Sequence, residues 1–114
     1  LLTTDRTSSE MSPYYEPLHP AVLEVLSSLA SAAMAAGKSI SICGEMAGNP
    51  AYTALLLGLG FRKLSVSPAE ILEIKNAIRS INLQHAEEWA RHVLQLDTVE
   101  QIKKCLHEAK PKAN

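Results

Sequence analysis

Apolar positions recur along this chain in two rhythms. Val22, Leu26, Leu29 and Ala33 fall at helical spacing, with Glu24, Ser27, Ser28 and Ser31 opposite, which predicts an amphipathic helix. Pro20 suits its first turn, where no N–H is needed, and Gly37 stands where a left-handed cap ends a helix. Ser39-Ile40-Ser41-Ile42-Cys43 then alternates with period two, as a strand does. Gly44 to Asn49 reads as a turn. Pro50 opens a second helix through Leu57, closed by Gly58 and Gly60, and Leu64-Ser65-Val66 repeats the strand pattern. Ser67-Pro68-Ala69-Glu70 is a capping box with proline at the first helical position. The helix it starts should bury Ile71, Ile74, Ile78 and Ile81. Asn82 is placed to cap another, with Leu83, Ala86, Ala90 and Val93 inward and Glu87 paired with Arg91 outside. Asp97-Thr98-Val99-Glu100 caps a last helix that buries Val99, Ile102 and Leu106, and the tail from Lys110 to Asn114 frays.

Ahead of these elements, residues 1–5 fit the end of a strand. The stretch from Asp5 to Pro20 holds Pro13, Pro17 and Pro20 and reads as a long irregular connection. A loop of this length in a compact domain is usually a working part, such as a segment that covers substrate.

Strands that alternate with helices imply βαβ units and a parallel sheet. Only three strands are predicted, so both sheet edges would be bare and hazardous unless covered. The missing strands are expected upstream, in a larger domain, and the absence of an initial Met agrees with that expectation. The strand patterns sharpen the picture. Ile40 and Ile42 oppose Ser39, Ser41 and Cys43, while Leu64 and Val66 oppose Ser65 and Ser67. An open parallel sheet covered on both sides should read as continuous aliphatic. One apolar and one small, polar face suit a closed barrel with helices on its outside only. The reading is therefore α/β: the C-terminal part of a (β/α)8 TIM barrel, about three βα units plus two further helices. An open sheet with one thinly covered face is the alternative.

Composition narrows the classes. Eleven Lys and Arg against twelve Asp and Glu give a formal charge of −1 over 114 residues, no field for nucleic acid or anionic lipid. A hydrophobic fraction of 46% with 20% charged residues is enough for a packed core and unlike a disordered chain. No apolar run approaches the roughly 20 residues of a membrane span, and the first residues do not form a signal peptide. Cys43 and Cys105 make no disulfide framework, which favours a reducing, cytoplasmic setting.

In such barrels chemistry sits at the C-terminal ends of the strands. Arg6 follows the first strand and Cys43 ends the second. Arginine holds phosphate or carboxylate oxygens in two places at once. Cys43 leads through Gly44-Glu45-Met46-Ala47-Gly48 toward a helix N-terminus, a setting that lowers a thiol's pKa. Taken alone, a strand-end cysteine is more often a small buried hydrophobe, and an arginine after a strand more often a surface ion pair. Glu45 is either an orienting group or a plain loop carboxylate. Cys105 reads as structural, and Tyr14, Tyr15 and Trp89 as core or interface aromatics. His19, His85, His92 and His107 lack ligand spacing, so no zinc site is expected, and no phosphate-binding glycine motif is present.

The string Cys43-Gly44-Glu45-Met46-Ala47-Gly48-Asn49-Pro50, with Leu55-Leu56-Leu57-Gly58-Leu59-Gly60 and Leu64-Ser65-Val66-Ser67-Pro68, resembles the C-terminal barrel of the phosphoenolpyruvate–protein phosphotransferases. These are the Enzyme I family of the bacterial phosphotransferase systems. Asp5-Arg6 and Glu16-Pro17-Leu18-His19-Pro20 fit the same family, and the resemblance covers nearly the whole chain. Pyruvate phosphate dikinases and phosphoenolpyruvate synthases share the barrel and its cysteine and rank second. A third possibility is a non-catalytic dimerisation module.

The resemblance implies that residues 1–114 are a C-terminal fragment of the phosphoenolpyruvate-binding barrel. Arg6 would hold the substrate's phosphoryl group. Cys43 would be the catalytic acid that protonates C3 of the pyruvate enolate, with Gly44 and Glu45 as possible supports. The phosphoryl group would pass to an enzyme histidine, then to a histidine phosphocarrier protein, in a cytoplasmic homodimer serving sugar transport or a regulatory branch. Mg²⁺ is implied, with its carboxylate ligands expected upstream of Leu1, where an Asn-Asp pair and the phosphohistidine domain should also lie. Asn49 departs from the Asp common in the family. The isolated chain is expected to be inactive.

Overall fold

The computed structural model describes residues 16–108. The predicted first strand, Arg6, Tyr14, Tyr15 and the tail fall outside the described residues. Helix α1 (Pro20–Ala35) takes its N-cap from His19, whose Nδ1 accepts from the Ala21 N–H. It ends in a pair of bonds, Lys38 N–H to the Ala33 carbonyl (2.8 Å) and Gly37 N–H to that of Met34 (3.1 Å). The predicted inward stripe is turned by about one residue: Leu23 and Ala30 are buried, whereas Leu29 is 48% exposed. The second strand is shorter than its pattern, because a strand extends only as far as its partner. β1 (Ser41–Ile42) pairs in parallel with β2 (Lys63–Leu64), Ser41 opposite Lys63 and Ile42 opposite Leu64.

Between these strands the chain departs from expectation twice. Gly44–Gly48, predicted as a turn, is a short helix, α2. Its two central side chains, Met46 and Ala47, are buried, and that burial offsets the poor helix propensity of the flanking glycines. A 3₁₀ turn (Pro50–Tyr52), capped by Asn49 Oδ1, then leads into α3 (Thr53–Leu59). Gly58 lies inside α3 and does not end it. Gly60 does, with φ 114°, a left-handed conformation that glycine adopts without the Cβ penalty.

After β2, the capping box at Ser67 forms as predicted and leads through a 3₁₀ turn (Pro68–Glu70) into α4 (Ile71–Arg79). Asn82 Oδ1 accepts from the His85 N–H (3.1 Å) at the start of α5 (Leu83–Val93). Thr98 Oγ1 accepts from Gln101 N–H, and Gln101 Oε1 from the Asp97 and Thr98 N–H groups, at the start of α6 (Val99–Glu108). Two predicted surfaces differ. Of the four isoleucines assigned to one buried face only Ile74 is buried. Glu87 pairs with Arg62 at 3.1 Å, across the fold, where a bond to Arg91 was expected.

The core gathers Leu18, Leu23, Leu55, Leu56, Phe61, Trp89, Val93 and Ile102 from α1, α3, α5 and α6 and the segments that join them. Gly58 decides its geometry. A Cβ there would overlap the Ala86 carbonyl and come within 2.7 Å of the Ala90 Cβ, so α3 and α5 pack backbone to backbone. Arg62 seals the end of α3 by donating to the carbonyls of Leu57 (2.8 Å) and Phe61 (2.9 Å). Among the described residues no helix is long and apolar enough to cross a membrane.

Candidate functional site

The sheet's two faces differ as their sequence predicts. Ile40, Ile42 and Leu64 pack against the core. Ser39, Ser41, Cys43, Ser65 and Ser67 are exposed. The C-terminal ends of β1 and β2 are joined by the Ser65 N–H donating to the Ile42 carbonyl at 2.8 Å. The chain then leaves each strand for its own helical turn. Chemistry placed here rests on a hydrogen-bonded frame, with side chains on the open face.

Cys43 is the first residue beyond β1. It occupies the N-cap of α2 in an extended conformation (φ −130°, ψ −170°), makes no side-chain capping bond and is exposed. It is thus not the small buried hydrophobe that a lone strand-end cysteine most often is. That role falls to Cys105, buried in the cluster beneath α6. Gly44, at φ 77°, turns the chain sharply behind the thiol. Glu45 lies exposed in the first turn of α2. The segment is held from behind by Met46 and Ala47 in the core and by Asn49 capping the next turn. The arrangement leaves one thiol free at the strand end on an anchored loop, able to give or take a proton from a molecule seated at that face.

The structure does not test the pairing of Cys43 with Arg6, because Arg6 lies outside the described residues. The connection that would carry it ends in described structure, however. Glu16 bonds Lys103 of α6 at 2.8 Å and accepts from the Leu18 N–H at 3.1 Å, and Leu18 is buried just before α1. Lys103 has its pKa raised above the ordinary 10.5, chiefly by this hydrogen bond and by the charge of Glu16. Sequence reasoning missed this tie, and it also missed how closely Glu70 approaches Gly48. The capping box revealed Glu70 only as a local residue.

Among the described residues no group of three or more His, Cys, Asp or Glu side chains converges to hold a metal ion. No ligand set of that size for the implied Mg²⁺ is therefore found among them. Beside β2, Leu57, Leu64, Val66, Ile71, Ile74 and Ile78 line an open groove of about 660 Å³ to which Arg62, Ser65 and Lys75 also contribute.

Residues 1–83 match the family described as PEP-utilising enzyme, PEP-binding domain. The chain is 38% identical over 111 residues to the phosphoenolpyruvate-protein phosphotransferase of Cupriavidus necator, covering 96% of this chain and 19% of that protein. It is 37% identical over 107 residues to the protein of the same name from Haemophilus influenzae (94% and 19%). It is 35% identical over 103 residues to a Salmonella typhimurium protein named phosphoenolpyruvate-dependent phosphotransferase system (90% and 14%). The chain spans about a fifth or less of the length of these curated relatives.

Proposed function

Since the chain belongs to the PEP-utilising enzymes, matching their PEP-binding domain over most of its length, we propose that it is the last portion of a barrel that takes the phosphoryl group from phosphoenolpyruvate (PEP). The observation that supports this most is the exposed Cys43 thiol at a strand end, at the head of the family-like string and anchored from behind by Met46 and Ala47. The parent protein would pass the phosphoryl group to a histidine of its own and then to a histidine phosphocarrier protein, and would act as a homodimer. Its relatives' names support this branch of the family.

In this reading Arg6 grips the phosphoryl oxygens through two parallel N–H bonds. Departure of the phosphoryl group leaves an enolate. Cys43 then gives its Sγ–H proton to C3. The electron pair of the carbon–carbon double bond forms the new C–H bond, the enolate oxygen becomes the ketone of pyruvate, and a thiolate remains. Mg²⁺, held by residues outside those described, would balance charge on the substrate. The exposed Ser65 and Ser67 extend the polar lining of the same strand ends.

The barrel itself accounts for two open apolar surfaces. Leu29 and Val25 on α1 and the groove beside α4 are open, and neighbouring βα units would abut them there. Too few substrate-binding groups reside here for activity, so the isolated chain should form no pyruvate from PEP and Mg²⁺.

The decisive experiment replaces Cys43 with Ala in the whole parent protein. Pyruvate release should fall roughly 10²–10⁴-fold, while binding of PEP, held through Arg6, stays within a few fold. Pyruvate release within twofold of the unsubstituted protein would remove Cys43 from the mechanism.

A further inference from the structure

We propose that Glu70 is a positioning residue for Cys43, bracing the segment that carries the thiol from the neighbouring strand end. The proposal rests on the reading of Cys43 as proton donor and adds to it what holds that donor in place.

Cys43 cannot place itself. Its side chain makes no capping bond and is exposed, so its position is set by β1 before it, bonded through Ile42 to Ser65, and by α2 behind it. With five residues, α2 is only about 8 Å long, and a shift at its far end reaches the thiol almost undiminished. That far end is Gly48, and the carboxylate of Glu70 lies directly on it. A methyl group at Gly48 would overlap Oε2 and approach Cδ and Oε1 to 2.7 and 2.8 Å. None of Gly37, Gly58 and Gly60 is approached this way by an ionisable side chain.

The carboxylate is itself fixed. Its Oε2 accepts from the Ser67 N–H at 3.2 Å, and the Glu70 N–H donates to the Ser67 carbonyl at 3.0 Å. Ser67 follows β2 after Ser65 and Val66, and β2 is bonded to β1. The capping box thus has two faces. One closes the turn into α4, and the other meets the backbone that ends α2. The contact makes the capping box a stop against which the Cys43 segment rests, and Gly48 is the one residue type that lets it rest there.

The brace works through shape and hydrogen bonding, so Gln should replace Glu70 with little effect, whereas Gly48→Ala sets a methyl where the carboxylate lies and breaks the contact, whichever of the two gives way. Glu70→Ala removes the stop itself and should loosen the Cys43 segment in the same way. Two readouts in the whole parent protein test this. One is the rate of iodoacetamide labelling at Cys43, followed on its own peptide with the Cys105 peptide as the control for an intact fold. The other is pyruvate release. Gly48→Ala should change Cys43 labelling about threefold or more with Cys105 unchanged. It should lower kcat roughly tenfold or more with the KM for PEP within about twofold, as should Glu70→Ala, while Glu70→Gln leaves both readouts alone. Unchanged labelling in Gly48→Ala, or in Glu70→Ala, overturns the brace. If Gly48→Ala does not fold, Glu70→Ala and Glu70→Gln decide: equal Cys43 labelling in the two overturns it, and a change confined to Glu70→Ala sustains it. Altered labelling with normal pyruvate release sustains the brace and removes the proton-donor role of Cys43.

Discussion

Helices α4 and α5 follow one another in the chain and carry stripes of the same kind, isoleucines on one, alanines with Trp89 and Val93 on the other. Their fates differ. α5 buries Ala86, Trp89, Ala90 and Val93. α4 buries Ile74 alone and leaves Ile71 39%, Ile78 38% and Leu72 81% exposed. The difference lies in what stands opposite. α5 meets α3 at Gly58, where two backbones come together because neither side has bulk. α4 stands over an open groove beside β2. An apolar stripe therefore states that a face needs cover, while the identity of the cover depends on which elements the topology brings alongside.

The comparison can be broken most severely at its tight side. Gly58→Leu keeps good helix propensity but drives a side chain into the Ala86 carbonyl, and it should cost at least about 3 kcal/mol, measured by urea unfolding. A wild-type midpoint would show that the close approach of α3 and α5 is not needed. Within α4 the stripe itself should split. Ile74→Ala should cost about 2–4 kcal/mol, the range of a buried aliphatic truncation, and Ile78→Ala less than about 1 kcal/mol in this chain. The same Ile78→Ala should cost more in the whole parent, where the groove is proposed to be filled. Equal small losses in both settings would leave the groove without an occupant.

The start of α5 offers a smaller lever. Asn82→Ala removes the acceptor for the His85 N–H and should cost about 1 kcal/mol, read by the same unfolding curves. The smallest effect belongs to the exposed tie between Glu16 and Lys103. The pair raises the Lys103 pKa above the unfolded value of 10.5, so its contribution is fully present below that value and fades as pH rises through the raised one. Lys103→Met should flatten the stability profile in that alkaline window and change little at neutral pH. An unchanged alkaline slope would show that the pair carries none of it.

Much of this was legible in residue order alone. The box at Ser67, the cap at Asn82 and the stop at Gly60 each depend on atoms within a few residues, so local chemistry sufficed. The two-faced strands were legible because side chains alternate, and Cys43 stood out through its string. The short helix Gly44–Gly48 was missed because its glycines argue against helix, and only the burial of Met46 and Ala47 overrides them. Glu87 was assigned to Arg91 because helical spacing sees no further than one turn, whereas Arg62 arrives from another element.

Residue order by itself thus determined the caps at Ser67 and Asn82 and the stop at Gly60, which strand face is polar, and that a thiol follows β1. Those properties are local, set by backbone hydrogen bonds and side-chain period. Only the tertiary structure decided which stripe is covered, that α3 and α5 touch through Gly58, that Glu16 reaches Lys103, and that Glu70 rests on Gly48. Such contacts join residues distant along the chain, and their distances follow from how elements pack, which no local pattern contains.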